Sequence, residues 1–558
     1  MKYTIALLVL VFSVSACTKE TPSHIEYEIS HHVQDSTAFL KIVMSFEPDS
    51  DGTTELSFQN KAWGQDSLHH VIGSMKLLEI EGEVKADPEN HVIKLSHPAG
   101  LKNLNFEYTL QQDYRGAVTT RNDFRPIVQP HFFHVFSHNL FMLPMHILES
   151  TNDQFNLEVL WQNLPDSFTI ANSFGTNKTK QFIEGISEQE FHSAIWTGGD
   201  FRVHTMEVQG NEVVFAIRGD WKNFTDEEMT GILEKTVKAQ RDFWQDHSQP
   251  YFLVTMIPTF EKNGSSFHGT GLTDSFAVSA SNNERLEVEG LVYLFNHELM
   301  HNWTGKVIKN ENEEEQYWFS EGFTEYYAFK NIARNSIYGL DASYFLKEIN
   351  RTVMELTASP VQTAPNNEIN YDNFWSNRDY GKLPYYRGAF FAFYLDYKIK
   401  QDSNNKKSLD DLILKIKEEA VAHGQNLNHS FFIETANTFL QEDITPFFEQ
   451  HILKGESMPI DKIYRNFEFE FHPTSEVFGL GFEISEDKKI THIDLTSNAY
   501  AAGLRNGDQL VSGTYGYDIS ELANFKIKKG GEEKEIAFYP AVASAIPSLK
   551  IKQELKLD

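Results

Sequence analysis

Two histidines four residues apart, His297 and His301, flank Glu298 in the stretch NHELMHNWTG. On a helix such residues lie about one turn apart on one face, so both imidazoles reach a single ion. Glu298, rotated by roughly 100°, turns toward the water beside that ion instead of taking a ligand position. Catalytic zinc commonly uses three protein ligands and keeps the fourth position open, so two histidines leave the site one ligand short. The stretch YWFSEGFTEYYAFK supplies Glu321 on a second helix, with nineteen residues between it and His301. Glu325, one turn further on, is placed to accept a hydrogen bond from a ligand histidine and fix its tautomer. These residues imply one catalytic Zn2+ and amide hydrolysis: the ion polarises the scissile carbonyl, Glu298 moves a proton from the attacking water to the leaving amine, and the oxyanion needs a donor. The donor is sought in RDYGKLPYYRGAFFAFYLDYKI, where Tyr385 and Tyr386 stand just before an apolar helix and a phenol can project from its first turn. Packing is the alternative for either one, since the chain has 22 tyrosines, and Tyr385 is the stronger candidate of the two. Arg387, next to them, holds a carboxylate or lies at the surface.

These side chains need a scaffold. LVYLFNHELMHNW has helical spacing, with Gly305 as a stop, and helical stretches dominate from 286 to about 456. Before them, YFLVTMIP reads as a buried strand and the Gly-rich GSSFHGTGLTDSFAVSAS as a turn feeding an edge strand. From 18 to 215 the segments HIEYEISHHV, AFLKIVMSFEP, HVIKLSHP, LNFEYTLQQ and FNLEVLWQ give a β-rich domain. The catalytic domain then spans 216–465, and short strands return in 466–558. The acidic run ENEEE, residues 311 to 315, reads as a solvated loop or a rim that attracts cationic peptides.

The first 17 residues, MKYTIALLVLVFSVSAC, read as a signal peptide, and VSAC resembles a bacterial lipobox with Cys17 as the lipidated residue. Cys17 is the only cysteine among 558 residues, which excludes an internal disulfide. A formal charge of -30 opposes binding to nucleic acid or to anionic lipid. Membrane attachment therefore rests on the lipid, in a bacterial envelope and on its periplasmic or outer side.

Taken together, HELMHNW, WFSEGFTEYYA, YYRG, GLGF and AGLRNGDQL resemble the M61 family of metallopeptidases, the glycyl aminopeptidase family of the gluzincin group. The resemblance implies a multidomain chain: an N-terminal β-rich domain, a thermolysin-like α+β catalytic domain and a C-terminal PDZ domain. It implies His297, His301 and Glu321 as zinc ligands, Glu298 as general base and Tyr385 as the tyrosine of a YxxG pattern. The substrate is then a peptide or protein, cut by an aminopeptidase with a preference for small first residues. A PDZ domain adds a C-terminal peptide as a second partner, its carboxylate cradled by GLGF, residues 479 to 482. One departure weakens the aminopeptidase expectation. Where that type carries a glutamate for the substrate's amino group, GTGLTDS places Thr273, with Asp274 on the opposite side of the strand. The alternatives are an endopeptidase of the same fold and a catalytically weak PDZ-containing scaffold.

Overall fold

The computed structural model describes residues 22–149, 154–262, 264–465, 470–516, 519 and 521–550. The signal segment and Cys17 lie outside the described residues. Among the described residues no helix is long and apolar enough to cross a membrane. The chain has an N-terminal β-rich region, an α/β catalytic region and a C-terminal β-rich region. It divides into two compact units, residues up to 222 with Gln249–Leu286, and Asn223–Ser248 with everything from Glu287 onward.

In the first unit His24–Gln34 and Thr37–Phe46 form an antiparallel hairpin. Its turn residues Asp35 and Ser36 both have positive φ, 49° and 68°, the twist a two-residue hairpin requires. Alternation then sends Ile25, Tyr27 and Ile29 of one strand, with Leu40, Ile42 and Met44 of the other, wholly into the core. The hairpin is the middle of a six-stranded sheet. The hydroxyls of Tyr27 and Tyr108 donate to the carbonyls of Met142 and Leu140 at 2.6 and 2.8 Å, so these buried phenols carry no unpaired polar atom.

A separate five-stranded sheet of this unit has the order Arg202–Val208, Asn211–Ile217, Tyr251–Thr259, Ser275–Ser281, Phe267–Leu272. Its three middle strands run parallel and are almost entirely buried, as expected of apolar runs without alternation. Phe267–Leu272 runs antiparallel at the edge. The expected 215/216 boundary falls inside the strand Asn211–Ile217.

The second unit is helical up to residue 465. Its first helix, Asp226–Trp244, starts at Thr225, whose hydroxyl accepts from the Glu228 N–H, and carries Asp226, Glu227 and Glu228 where carboxylates complement the helix dipole. Met229, Ile232, Leu233, Val237 and Trp244 form its buried stripe. Residues 470–550 contain short antiparallel pairs and the three-stranded sheet Gln509–Thr514, Ala523–Lys529, Glu532–Phe538 over a small core around Phe525. There the GLGF stretch makes a turn in which Gly481 has φ +73° and the Gly479 N–H donates to the Pro540 carbonyl at 2.9 Å.

His134 and His138 are buried neutral in the first unit, and burial pushes both pKa values down to about 3. In the unfolded chain an imidazole takes its proton near 6.5, so between that value and about 3 the unfolded state binds more protons. Stability is therefore full above pH 6.5 and falls as the pH is lowered. Each histidine costs about 2 kcal/mol by pH 5. Urea unfolding of His134→Gln at pH 7 and pH 5 should show a difference between the two pH values smaller than the wild type's by about 2 kcal/mol. An unchanged difference would show that His134 is not held neutral.

Candidate active site

The helix Val288–Met300 carries His297 and Glu298 and ends one residue before His301. Gly305 is not its stop: the chain turns at 301–304, where the N–H groups of Trp303 and Thr304 both bond the Met300 carbonyl at 3.0 Å. Glu321 is likewise not within a helix. It is the junction between Glu313–Ser320 and Gly322–Arg334, with φ −99° and ψ −47°.

His297, His301 and Glu321 converge, each offering one ligand atom, with all three atoms within 4.8 Å of one another. The two Nε2 atoms are 3.3 Å apart. Glu321 Oε2 lies 3.3 Å from Nε2 of His297 and 3.8 Å from that of His301. This oxygen is buried and makes no hydrogen bond. An acceptor stands behind each ring: Nδ1 of His301 lies 3.2 Å from the Thr304 carbonyl, and Nδ1 of His297, short of a hydrogen bond, lies 3.3 Å from Glu325 Oε2. Protons on both Nδ1 atoms leave both Nε2 lone pairs facing the carboxylate. Three acceptors aimed at one point without a donor fit a cation, and two imidazoles with a carboxylate are a donor set for zinc. The cluster is a single catalytic zinc site.

The electrostatics agree. Burial disfavours a charge on His297, yet Glu321, Glu325 and Glu298 outweigh it and raise its pKa to about 10. Glu321 is also opposed by burial, but His301, His297 and Tyr385 bring it down to about 2. Both shifts record one field: the carboxylates around His297 favour positive charge at the point the three ligand atoms face.

Tyr385 stacks on His297, ring centroids 5.6 Å apart at 12°, with its hydroxyl near enough to Glu321 for the two to act on each other. Burial, then the charge of Glu321, push its pKa well above the ordinary phenol value, so it remains an O–H donor. Glu298 is buried, and its charge acts on both His297 and Tyr385. Tyr386 has partly different surroundings: burial, then Glu355, raise it to about 12, with Arg351 and Glu325 also acting on it. Both tyrosines lie inside the helix Arg378–Ser403, two turns from its start and directly after Pro384, and not ahead of an apolar helix. The helix begins early because the Asn377 side chain caps it.

Three other expectations change. Arg387 is buried and meets no carboxylate; it donates to the carbonyls of Gln362 and Ala364 at 3.0 and 2.7 Å. The acidic run is only partly loop: Glu313, Glu314 and Glu315 form the first turn of a helix. There Glu313 accepts from Ser320 and Glu314 from the Tyr371 N–H, each at 2.8 Å. Thr273 and Asp274 are hairpin-turn residues of the first unit, not strand residues. Thr273 Oγ1 donates to the Glu190 carbonyl and Asp274 accepts from Gln249, both at 2.7 Å.

The sequence reading missed the residues behind Glu325. Tyr293 donates to Glu325 Oε2, and Arg351 Nη2 lies 3.8 Å from Oε1. Tyr293 is one turn before His297, a usable signal; Arg351 belongs to another helix and left none.

Fold and site together define a zinc metallopeptidase, and the chain carries out zinc-dependent peptide hydrolysis. Residues 242–451 match the model of the peptidase family M1 domain. This corrects the M61 assignment: the HExxH helix and the following glutamate reflect what zinc requires, and so do not separate the two families. An aminopeptidase N family protein from Idiomarina loihiensis has a similar fold, with a TM-score of 0.71 at 16% identity over 96% of this chain and 99% of that one. The M1 zinc metallopeptidase of Deinococcus radiodurans gives a TM-score of 0.48 at 11% identity over 78% of this chain and 95% of its own. No curated protein matches the chain.

Glu321 and Tyr385 are brought together by two glycines. A Cβ on Gly388 would stand 2.0 Å from the Trp318 carbonyl oxygen and 2.8 Å from the Gly322 Cα. These are backbone atoms of the segments flanking Glu321, which have no rotamer to give way. Gly388→Ala should lower the unfolding free energy in urea by about 3 kcal/mol. A loss below about 0.5 kcal/mol, within the range of surface substitutions, would mean that the helices do not meet so closely.

Proposed function

We propose that this chain is an exported zinc aminopeptidase in which His297, His301 and Glu321 hold the metal, Glu298 is the general base and Tyr385 stabilises the oxyanion. The observation that carries the reading is the buried Glu321 oxygen facing two Nε2 atoms with no donor of its own. When bound, zinc polarises the scissile carbonyl and makes its water acidic. Glu298 takes the proton of the attacking water and delivers it to the leaving amine. The Tyr385 phenol, kept protonated by burial and by Glu321, donates a hydrogen bond to the oxygen that gains charge. Tyr386, set among Glu355, Arg351, Glu325 and Arg378, is the second candidate for that donor.

Cleavage from the amino terminus is supported by the M1 domain match and by the aminopeptidase N name of the Idiomarina protein, whereas the preference for small first residues rested on the M61 resemblance alone. Export is supported by the apolar start ending at Cys17, which we assign a lipid anchor. We divide the chain into a signal peptide at 1–17, a β-rich domain at 18–215, a thermolysin-like catalytic domain at 216–465 and a PDZ-type domain at 466–558. The positive φ of Gly481 in GLGF supports the last of these.

Zinc-loaded protein should cut a small-residue peptide with a free amino terminus and release its first residue, and should leave the N-acetylated form intact. Glu298→Gln should lose activity by about 100-fold or more. Internal cuts in the acetylated peptide, at a rate similar to the free one, would make the enzyme an endopeptidase.

A further inference from the structure

We propose that Arg351 and Tyr293 are positioning residues for the metal: they lock the Glu325 carboxylate in one orientation, and through it the His297 ring. The inference rests on the reading of His297 as a zinc ligand.

The geometry assigns each oxygen of Glu325 a different task. Oε2 accepts from the Tyr293 hydroxyl and lies 3.3 Å from His297 Nδ1; Oε1 faces the Arg351 guanidinium at 3.8 Å. A carboxylate turns easily about its last torsion, which is broad and has no sharp staggered wells. One contact with histidine would not stop that rotation. Contacts to both oxygens from two other side chains do.

The arms of this brace are themselves fixed. Arg351 Nε donates to Glu348 Oε2 at 2.6 Å, and Glu348 is buried. The Phe329 ring packs against both arms, 5.9 Å from the Arg351 guanidinium and 5.7 Å from the Tyr293 ring. Tyr293 shares a helix with His297, Phe329 shares one with Glu325, and Glu348 and Arg351 belong to Ala342–Ala358. Three helices thus converge behind one imidazole. Burying two carboxylates with one guanidinium is a poor route to stability, because desolvation consumes most of the attraction. What the arrangement provides is direction: the fixed Glu325 carboxylate keeps His297 Nδ1 turned toward it and Nε2 toward the metal.

The test is zinc affinity of the full chain, measured by competition with a chromophoric chelator. Arg351→Met and Tyr293→Phe should each weaken zinc binding about 10-fold and Glu325→Gln up to about 100-fold, the range for outer partners of metal ligands. The double variant Glu325→Gln/Arg351→Met should bind no more weakly than Glu325→Gln alone, because Arg351 acts through Glu325. A general loss of packing would give additive losses instead, and full additivity overturns the proposal. Wild-type affinity in both Arg351→Met and Tyr293→Phe overturns it as well. The underlying reading fails separately: if His297→Ala binds zinc as tightly as wild type, His297 is not a ligand, and the brace loses its purpose.

Discussion

A carboxylate oxygen and two imidazole lone pairs turned toward one point repel one another unless a cation stands between them. Glu321 and the Nε2 atoms of His297 and His301 are held in that arrangement. The architecture of the helical unit answers to this repulsion. The Thr304 carbonyl engages His301 from behind, Glu325 engages His297, and Tyr385 closes over the ring of His297 while reaching Glu321. Each of these contacts would be costly to assemble for packing alone. Each makes sense once a divalent ion completes the site.

Holding the acceptors in place falls to buried polar networks and close backbone contacts rather than to apolar packing only. Asn296, beside His297, donates to Thr236 at 3.2 Å and accepts from Asn331 at 2.6 Å, while its carbonyl receives Gln240 at 2.6 Å. This joins the His297 helix to the helices on either side through buried hydrogen bonds, which favour one arrangement. Further along the Glu325 helix, Lys330 is buried between Asp396 and Asp410 at 3.0 and 2.8 Å, fixing that helix against the one that carries Tyr385. The approach at Gly322 and Gly388 completes the register.

How far the sequence could be read depended on whether a residue's task was local. Helical spacing brings His297 and His301 to one face, and zinc's need for a third ligand points to Glu321; both follow from distances along the chain. Strand alternation around Tyr27 and Leu40 was legible for the same reason. Where the long-range partner decides, the reading went astray. Arg387 reads as a surface or carboxylate-binding residue, yet backbone carbonyls of residues 362 and 364 claim it. Thr273 and Asp274 read as strand residues, and only the pairing of Phe267–Leu272 with Ser275–Ser281 turns them into a hairpin tip. Arg351 was invisible, since nothing near residue 351 points to a histidine on another helix. The family assignment failed for a related reason: metal-binding motifs record what zinc needs and say little about lineage.

Two imidazoles and one carboxylate hold one zinc ion. X-ray absorption at the zinc edge, on full-length protein loaded with one equivalent, tests it most directly. The expected result is a four-coordinate shell of two imidazole nitrogens and two oxygens at about 2.0–2.2 Å, and the loss of one oxygen distance in Glu321→Ala. A shell of oxygens alone, or one unchanged by Glu321→Ala, would contradict it.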